Sequence, residues 1–359
     1  MDRMIKWPSI EQYRNVVKNV EMKTRYTGKD EAGKPFFDRN VKLPTLKFEG
    51  TVKLHGSNAS IVMSADRKMW CQSRENIITP EKDNAGFARF VESQEDAFKV
   101  LLLTARTVSE CYTSDIVIFG EWCGKGIQKG VGISELPKMF VIFGIALVKD
   151  DQKIYFTRQD ILEVCDNARE YVKKPKGKIP DGSYIYCIYD FPTYECVIDF
   201  ENPHETQNEL NRICNEVEQE CPVAKSFGIS GIGEGIVIRC TTIGYEDSGF
   251  WAKIKGSLHS NSKVKTLATV DVERINNIKE LCERLAHNGR LEQMAQTTFD
   301  LLNGGDYDIK KIGDFIKAVM ADIFKEDMDV IAASGFNGKE IAGPIAKICR
   351  DFVMKNLEC

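Results

Sequence analysis

A lysine, a histidine, a glycine and an asparagine occur within six residues, between two stretches that have the composition of β-strands. These residues are Lys53, His55, Gly56 and Asn58 in the segment K-L-H-G-S-N. A lysine near a strand end loses packing and desolvates its charge, so a structural role explains it poorly unless its amine does chemistry. For a lysine alone, a side chain that points into solvent is the better interpretation. The histidine, and a glycine that lets the backbone turn away beside a ligand, favour a chemical role.

Downstream segments carry further polar and aromatic residues in a defined order. The residues of interest are Glu121, Phe143, Glu234, Arg239, Lys253 and Lys255. Glu121 ends an apolar strand-like run beside a glycine-rich loop, and Glu234 begins another strand. Lys253 and Lys255 are two residues apart, so they share one face of a strand. Each residue alone has a simple interpretation as a solvated charge or a core aromatic, but the ordered set is hard to explain in that way.

The elements that must position these residues fall into two parts of different composition. Up to about residue 256, runs rich in β-branched and aromatic residues alternate with helical stretches, predicted at 94–106, 159–171 and 205–220 with Ser93 as the first N-cap. This pattern predicts an α+β domain with a largely antiparallel sheet. Further on, apolar residues such as Ile309, Ile312 and Ile316 recur every three or four positions, which is the helical period.

The change in pattern predicts two domains. We expect an α+β domain over residues 1–262 and a small all-α domain of about four helices over residues 263–359. A polar and basic segment separates the two patterns, and Lys263 and Lys265 within it would extend a basic strip toward a bound nucleic acid. An ordinary solvated linker is an equally good interpretation of these two lysines.

Composition excludes several classes of protein. The net charge of −4 argues against binding nucleic acid by overall charge, although a local basic groove remains possible. Twelve cysteines without a C-x-x-C spacing, and only four histidines, indicate reduced thiols rather than disulfides or a zinc site. No signal sequence or long apolar run is visible. We therefore expect a cytoplasmic monomer, or one in the host cytoplasm if the protein is viral, without a membrane partner.

The ordered motifs resemble the covalent nucleotidyltransferase superfamily, which contains polynucleotide ligases and capping enzymes. Within it, K-L-H-G-S-N is similar to the RNA ligase 2 family of phages and to the related RNA-editing ligases, whereas DNA ligases and capping enzymes typically have K-x-D-G. The helical tail agrees, because DNA ligases and capping enzymes carry a five-stranded OB barrel there. The resemblance implies a nucleotidyltransferase domain with ATP-grasp-like antiparallel sheets, followed by an all-α domain.

The resemblance also implies covalent catalysis by Lys53. Its amine would attack the α-phosphorus of ATP, release pyrophosphate and hold AMP covalently. A free lysine has a pKa of about 10.4, so deprotonation near pH 7.4 costs about 4 kcal/mol, which nearby cations and desolvation can reduce. The same cations would stabilise the triphosphate. The candidates are Arg239, Lys253, Lys255 and a Mg²⁺ or Mn²⁺ ion held by Glu234.

Other members of the family motifs would bind the nucleotide. By resemblance, His55 assists the first step, and Asn58 contacts the phosphate region or orders the RNA end. Arg74 matches an arginine near the nucleotide phosphate and the RNA end. Glu121 would accept hydrogen bonds from the ribose hydroxyls, and Phe143 would stack on adenine.

One position departs from the phage pattern. The residue before the nucleophile is often a glutamate that helps to read adenine, and here it is Val52. Glu49 could replace that glutamate only if the strand bends. ATP is therefore expected over GTP, with adenine read more by backbone groups.

The implied reaction joins RNA ends. AMP would pass from the lysine to an RNA 5′-phosphate, and a 3′-OH would then attack and expel AMP, with nicks in duplex RNA as the expected substrate. The alternatives are a DNA ligase, a capping guanylyltransferase, a non-catalytic nucleic-acid-binding relative and a metabolic adenylating enzyme. The retained lysine and carboxylates oppose an inactive relative, and the absence of a Ser/Thr/Gly-rich phosphate loop opposes a metabolic enzyme.

Overall fold

The computed structural model describes residues 2–29, 33, 35–150, 152–256 and 278–357. The chain forms two compact units, Met1–Gly256 (the first unit) and Ser257–Cys359 (the second unit). The expected boundary between residues 262 and 263, together with Lys263 and Lys265, lies outside the described residues. Within the described ranges, no helix is both long and apolar enough to cross a lipid bilayer.

Most of the described strands of the first unit belong to two sheets. Its described strands are β1 (Glu11–Gln12), β2 (Tyr26–Lys29), β3 (Pro35–Phe37), β4 (Thr45–Lys53), β5 (Ser57–Met63), β6 (Met69–Ser73), β7 (Ile77–Ile78), β8 (Asp115–Cys123), β9 (Met139–Lys149), β10 (Gln152–Tyr155), β11 (Tyr184–Cys187), β12 (Thr193–Asp199), β13 (Gly235–Cys240) and β14 (Trp251–Lys255). Its described helices are α1 (Tyr13–Arg25), α2 (Phe87–Ser93), α3 (Glu95–Val108), α4 (Arg158–Asn167), α5 (Pro203–Gln219) and α6 (Pro222–Lys225).

The sheets are mainly antiparallel. One sheet has the strand order β1-β14-β13-β4-β12, and the other has the order β10-β9-β8-β5-β6-β7 with β11 beside β9. Only the pairs β1–β14 and β11–β9 are parallel among the described strand pairs. The short strands β2 and β3 pair with each other. The prediction of an α+β fold with a largely antiparallel arrangement is therefore confirmed.

Trp7 joins the cores of the two sheets. Its ring lies 5.1 Å from that of Trp251 on β14 and 4.9 Å from that of Phe119 on β8. A side chain at Gly144 of β9 would place its Cβ 2.4 Å from the Trp7 ring, so glycine is required for this close approach. The segment before β1 thus packs between the sheets and fixes their separation on this side.

The helices of the first unit match the predicted ones with shifted ends. Gln94 separates α2 from α3 and is the N-cap residue of α3. Ser93 is the last residue of α2, so the prediction that Ser93 caps the next helix is wrong. The helix α4 begins one residue before the predicted start. Thr157 caps it, and its hydroxyl accepts a hydrogen bond from the backbone N–H of Asp160 in a capping box.

The described part of the second unit contains helices and connecting loops but no strand. Its helices are α7 (Ile278–Leu285), α8 (Asn288–Thr298), α9 (Ile312–Ala333) and α10 (Gly338–Leu357). Phe315, Val319 and Ile323 on α9 are fully buried in one core. Ile309 precedes α9 and is 60 % exposed, so the helical pattern was extended one turn too far there. The prediction of a helical region after the sheets is confirmed.

Candidate active site

The neighbouring strands β4, β13 and β14 bring predicted catalytic residues together at one end of the five-stranded sheet. Lys53 at the end of β4 pairs with Gly235 at the start of β13, and Gly235 pairs with Lys255 at the end of β14. Glu234 precedes Gly235 directly, so it lies between the two lysines. Gly235 has φ of +143°, and a Cβ there would lie 2.1 Å from the carbonyl oxygen of Ile254. Only glycine fits at this crossing.

The carboxylate of Glu234 is the centre of a charged cluster. Its Oε2 lies 2.6 Å from Lys53 Nζ and 3.3 Å from His55 Nδ1, and its Oε1 lies 3.1 Å from Lys255 Nζ. The Glu234 side chain is only 3 % exposed, whereas the two lysines keep 23 % and 28 % of their surface. A buried carboxylate requires such partners, because an unpaired buried charge is very costly.

The partners of Glu234 determine its charge. Burial alone would raise its pKa, but the positive charges of Lys53 and Lys255 and a hydrogen bond from His55 lower the pKa well below its usual range. Glu234 is therefore an anion at neutral pH. A permanent anion at this position can hold a divalent cation or balance the charge of a lysine.

Gly56 places the turn after Lys53 against β8. Its N–H donates a hydrogen bond of 2.9 Å to Oε1 of Glu121. A Cβ at Gly56 would lie 2.5 Å from the carbonyl oxygen of Trp122, so the glycine is required by close approach to β8. Asn58 on β5 pairs directly with Glu121 on β8, which brings both into the same site.

Glu121 has an unusual affinity for protons. Burial raises its pKa to about 7, the charge of Glu234 adds to the effect, and Lys53, Arg74 and the hydrogen bond from Gly56 oppose it. Glu121 therefore exchanges a proton near neutral pH. The Glu121 residue as a whole keeps intermediate exposure, although its carboxyl group is desolvated.

Arg74 interacts electrostatically with Glu121, whereas the described contact of Phe143 is with the core residue Trp7. Arg74 follows β6, with its side chain 38 % exposed, and its Nη2 lies 3.4 Å from the hydroxyl oxygen of Ser9. The register between β8 and β9 shifts between Phe119 and Gly120, and this β-bulge leaves Phe143 as the extra residue. The ring of Phe143 meets Trp7 edge to face at 5.1 Å.

Arg239 lies apart from the charged cluster. It pairs with Glu49, four residues along the sheet from the Lys53–Gly235 pair, or about 13 Å at the rise of a strand. Its guanidinium stacks over the ring of Trp251 at 4.2 Å, with Nη1 3.5 Å from the Tyr189 hydroxyl. The structure does not bring Arg239 to the Lys53–Glu234 pair.

Lys253 and Glu49 can be placed by the same strand register. Lys253 pairs with Val237 and is one step, about 7 Å, from Lys255 on the same face of β14. β4 pairs continuously with its neighbours on both sides, without a bulge. Glu49 therefore stays about 13 Å from Lys53 and does not take the place of the glutamate that Val52 replaces.

Gln128, which contacts Gly56, and Trp7, which contacts Phe143, were missed by sequence reasoning. Gln128 Nε2 donates a hydrogen bond of 3.2 Å to the carbonyl oxygen of Gly56, and its side chain is nearly buried. The glycine-rich segment K-G-I-Q-K-G was a usable signal for Gln128. Trp7, beside Phe143, had no such signal, because an isolated tryptophan near a chain end is consistent with any core contact.

Comparison with known proteins gives a family match. The sequence model of the RNA ligase family matches residues 46–255, which is more than half of the chain. No curated protein matches the sequence. Among solved structures, a point mutant of the RNA ligase of Naegleria gruberi with ATP and Mn is 15 % identical, with a TM-score of 0.43, and the match covers 71 % of this chain and 57 % of that one. The same ligase with pyrophosphate gives the same values. The chain thus spans less than two thirds of the length of these ligases.

Proposed function

Because the chain belongs to the RNA ligase family, we propose that it joins RNA ends through ATP-dependent adenylylation of Lys53. The observation that carries this proposal is the contact of Lys53 Nζ with the buried Glu234 carboxylate, beside Lys255, at one sheet edge. A lysine amine, an anion for a metal ion and a second cation are the groups that nucleotidyl transfer requires.

In the first step, the neutral amine of Lys53 attacks the α-phosphorus of ATP. The N–P bond forms, the bond from the α-phosphorus to the bridging oxygen breaks, and pyrophosphate leaves. Lys255, and Lys253 one step behind it on β14, are placed to neutralise the phosphates during this displacement. We assign this role to the two lysines and not to Arg239, because Arg239 is stacked on Trp251 away from the cluster.

Glu234 fits a magnesium or manganese ion. Among the described residues, no three His, Cys, Asp or Glu side chains form a metal-binding group. Mg²⁺ is commonly held by one or two carboxylates together with substrate phosphates and water, so a single buried anion is sufficient. A bound ion would neutralise phosphate charge. Glu234 supplies the carboxylate, and His55 fixes its orientation through Oε2.

The remaining site residues would bind the nucleoside and the RNA. Glu121 accepts hydrogen bonds from ribose hydroxyls when it is ionised, and Phe143 offers an aromatic face for adenine beside the β-bulge. Asn58 pairs with Glu121 and would contact the phosphates. Arg74, partly exposed on the rim, would meet the RNA 5′-phosphate.

In the later steps, AMP passes from Lys53 to an RNA 5′-phosphate, and a 3′-OH attacks that phosphate and releases AMP. We propose nicks in duplex RNA as the substrate, and a monomer in the cytoplasm as the working form. Ligation of one 5′-labelled strand, either bare, bridged by RNA or bridged by DNA, tests the substrate.

Labelling tests the nucleophile. The protein is incubated with α-labelled ATP and Mg²⁺, and the labelled peptide is mapped. Label on Lys53 is expected, and the Lys53→Ala variant should take up none. Lys47→Ala is the matched control, since Lys47 lies on the same strand and face with its side chain exposed. Label on another lysine would overturn the assignment.

A further inference from the structure

The loop between β8 and β9 contributes no reacting group to the proposed adenylylation of Lys53. We call residues 124–136 the bridging loop. It contains the segment G-K-G-I-Q-K-G, in which Gly124, Gly126 and Gly130 adopt positive φ. Residues other than glycine rarely adopt positive φ, so these glycines determine the path of the loop backbone.

The bridging loop is anchored to both sides of the active site. Gln128 holds the carbonyl of Gly56, next to the nucleophile, at 3.2 Å. Further on, the N–H of Gly132 donates to the carbonyl oxygen of Ile232 at 2.8 Å, two residues before Glu234. A Cβ on Gly231 would lie 2.5 Å from the Cα of Gly132, so the loop and this segment are in direct contact. The loop therefore contacts both the turn after Lys53 and the segment that leads into β13, and β4 and β13 are neighbours in one sheet.

Over residues 125–130, exposed and buried residues alternate in pairs. Ile127 and Gln128 are buried, whereas Lys125–Gly126 and Lys129–Gly130 are exposed. Neither lysine forms an ion pair with another described residue. A Cβ on Gly126 or on Gly130 would meet no atom within 4 Å, so open space adjoins each lysine. The bridging loop therefore carries two exposed cations, and its anchors connect it to the turn after Lys53 and to the segment before Glu234.

We propose that Lys125 and Lys129 bind backbone phosphates of the RNA and hold the strand end beside Lys53, an inference that rests on the proposed function. Each Lys–Gly pair offers an ammonium group together with room for close approach by a phosphate. Because neither lysine pairs with a carboxylate in the described part of the chain, binding a polyanion there breaks no ion pair.

RNA is favoured over the triphosphate of ATP as the occupant. The triphosphate can be neutralised by Lys255 in the cluster and by Lys253 one step away on β14. Lys125 and Lys129 lie on the exposed side of the loop, where a long ligand can pass over the surface. A role in ATP binding would change adenylylation, and this difference separates the two interpretations.

The test uses the full chain with Lys125→Ala and Lys129→Ala combined. Binding to a nicked RNA duplex with a 5′-phosphate at the nick is measured over a range of salt concentrations. Loss of two phosphate contacts should reduce the slope of log K against log salt by about 1.4–1.8 and weaken binding about tenfold or more near 0.1 M salt. Labelling of Lys53 by ATP alone should stay unchanged, while the KM for RNA rises.

Two further variants complete the test. Lys125→Arg with Lys129→Arg keeps both charges and should restore binding to within about twofold, which loss of fold would not allow. Lys176→Ala with Lys178→Ala is the matched control, since these exposed lysines also flank a glycine with positive φ.

The outcomes are distinct for the two proposals. Wild-type protein that forms no RNA-adenylate overturns the proposed function. Wild-type protein that forms it, while the double alanine variant binds RNA with the same affinity and salt slope, overturns only the role of the bridging loop. A raised KM for ATP in the labelling reaction, with RNA binding unchanged, would assign the lysines to the triphosphate instead.

Discussion

Replacing Glu234 by glutamine removes a buried negative charge that lies between Lys53 and Lys255. Breaking a fully buried ion pair by removing one partner costs about 3–5 kcal/mol. The two lysine side chains are 23 % and 28 % exposed and can rehydrate. We therefore expect the free energy of unfolding to fall by a smaller amount, about 2–3 kcal/mol. At about 2–4 °C per kcal/mol for a unit of this size, the Tm should fall by about 4–12 °C.

The loss should depend on pH in a defined direction. Glu234 has a folded-state pKa well below that of an unfolded glutamate, which is about 4.3. Its contribution to stability is therefore fully present above that value and is lost as the pH falls through the folded-state pKa. The difference between wild type and Glu234→Gln should persist at neutral pH and shrink as the pH falls below the unfolded-state value of about 4.3. A smaller change is expected near pH 7, because the charge of Glu234 raises the pKa of Glu121.

Urea unfolding followed by tryptophan fluorescence measures this difference. All four tryptophans (Trp7, Trp70, Trp122 and Trp251) precede residue 257, so the signal reports the first unit alone. Glu220→Gln is the control, because Glu220 pairs with Lys225 at the surface and is 41 % exposed, so it should change stability by less than about 1 kcal/mol. Equal stability of wild type and Glu234→Gln at pH 7 would refute the reasoning. Full labelling of Lys53 in this variant at limiting Mg²⁺ would refute the metal assignment.

Three further changes test other parts of the site. Gly56→Ala should destabilise the first unit by about 1–3 kcal/mol and stop labelling of Lys53, because its Cβ would overlap the carbonyl of Trp122. The control Gly343→Ala, in open space on a helix, should be neutral or stabilising. If Gly56→Ala had no effect, the close approach to Trp122 would be contradicted. In titrations of AMP binding, affinity should rise between about pH 6 and pH 8 as Glu121 ionises, and Glu121→Gln should remove this rise; an unchanged profile would assign it to another group. A chain ended after Ser262 should still label with AMP but lose sealing of ends that need AMP transfer; if it stays folded by thermal melting and seals nicks at the full rate, the second unit has no role in RNA engagement.

The sequence was most informative where chemistry and strand ends coincide. Lys53, Glu234 and Lys255 were predicted to act together because their ordered motifs resemble those of covalent nucleotidyltransferases, and in the structure Glu234 contacts both lysines. Arg239 lies on the same face of the sheet as this cluster. The alternation of side chains along a strand predicts the face on which a residue lies, but it does not predict the distance of Arg239 from Lys53. The register of β13 against β4 sets that distance, and it is a property of the folded sheet.

Other features depend on contacts between distant parts of the chain. Gln128 contacts a backbone carbonyl 72 positions away, which leaves no pattern in the types of neighbouring residues. The β-bulge at Phe143 and the position of Trp7 between the sheets arise from packing, which local propensity does not encode. The ends of helices were shifted for a similar reason, since Gln94 interrupts a stretch that is helical in composition throughout.

The order of β4, β13 and β14 in the first sheet has a consequence for synthesis of the protein. Lys53 and Glu234 touch although 181 positions separate them. Closing so large a loop is entropically costly, so this sheet should form slowly compared with the local hairpin of β5 and β6. On the ribosome, Lys53 emerges long before its carboxylate partner, and β4 remains without β13 until nearly the whole first unit has been made. The charged cluster is therefore assembled only in the last stage of folding, and the proposed adenylylation of Lys53 would have to wait for that stage.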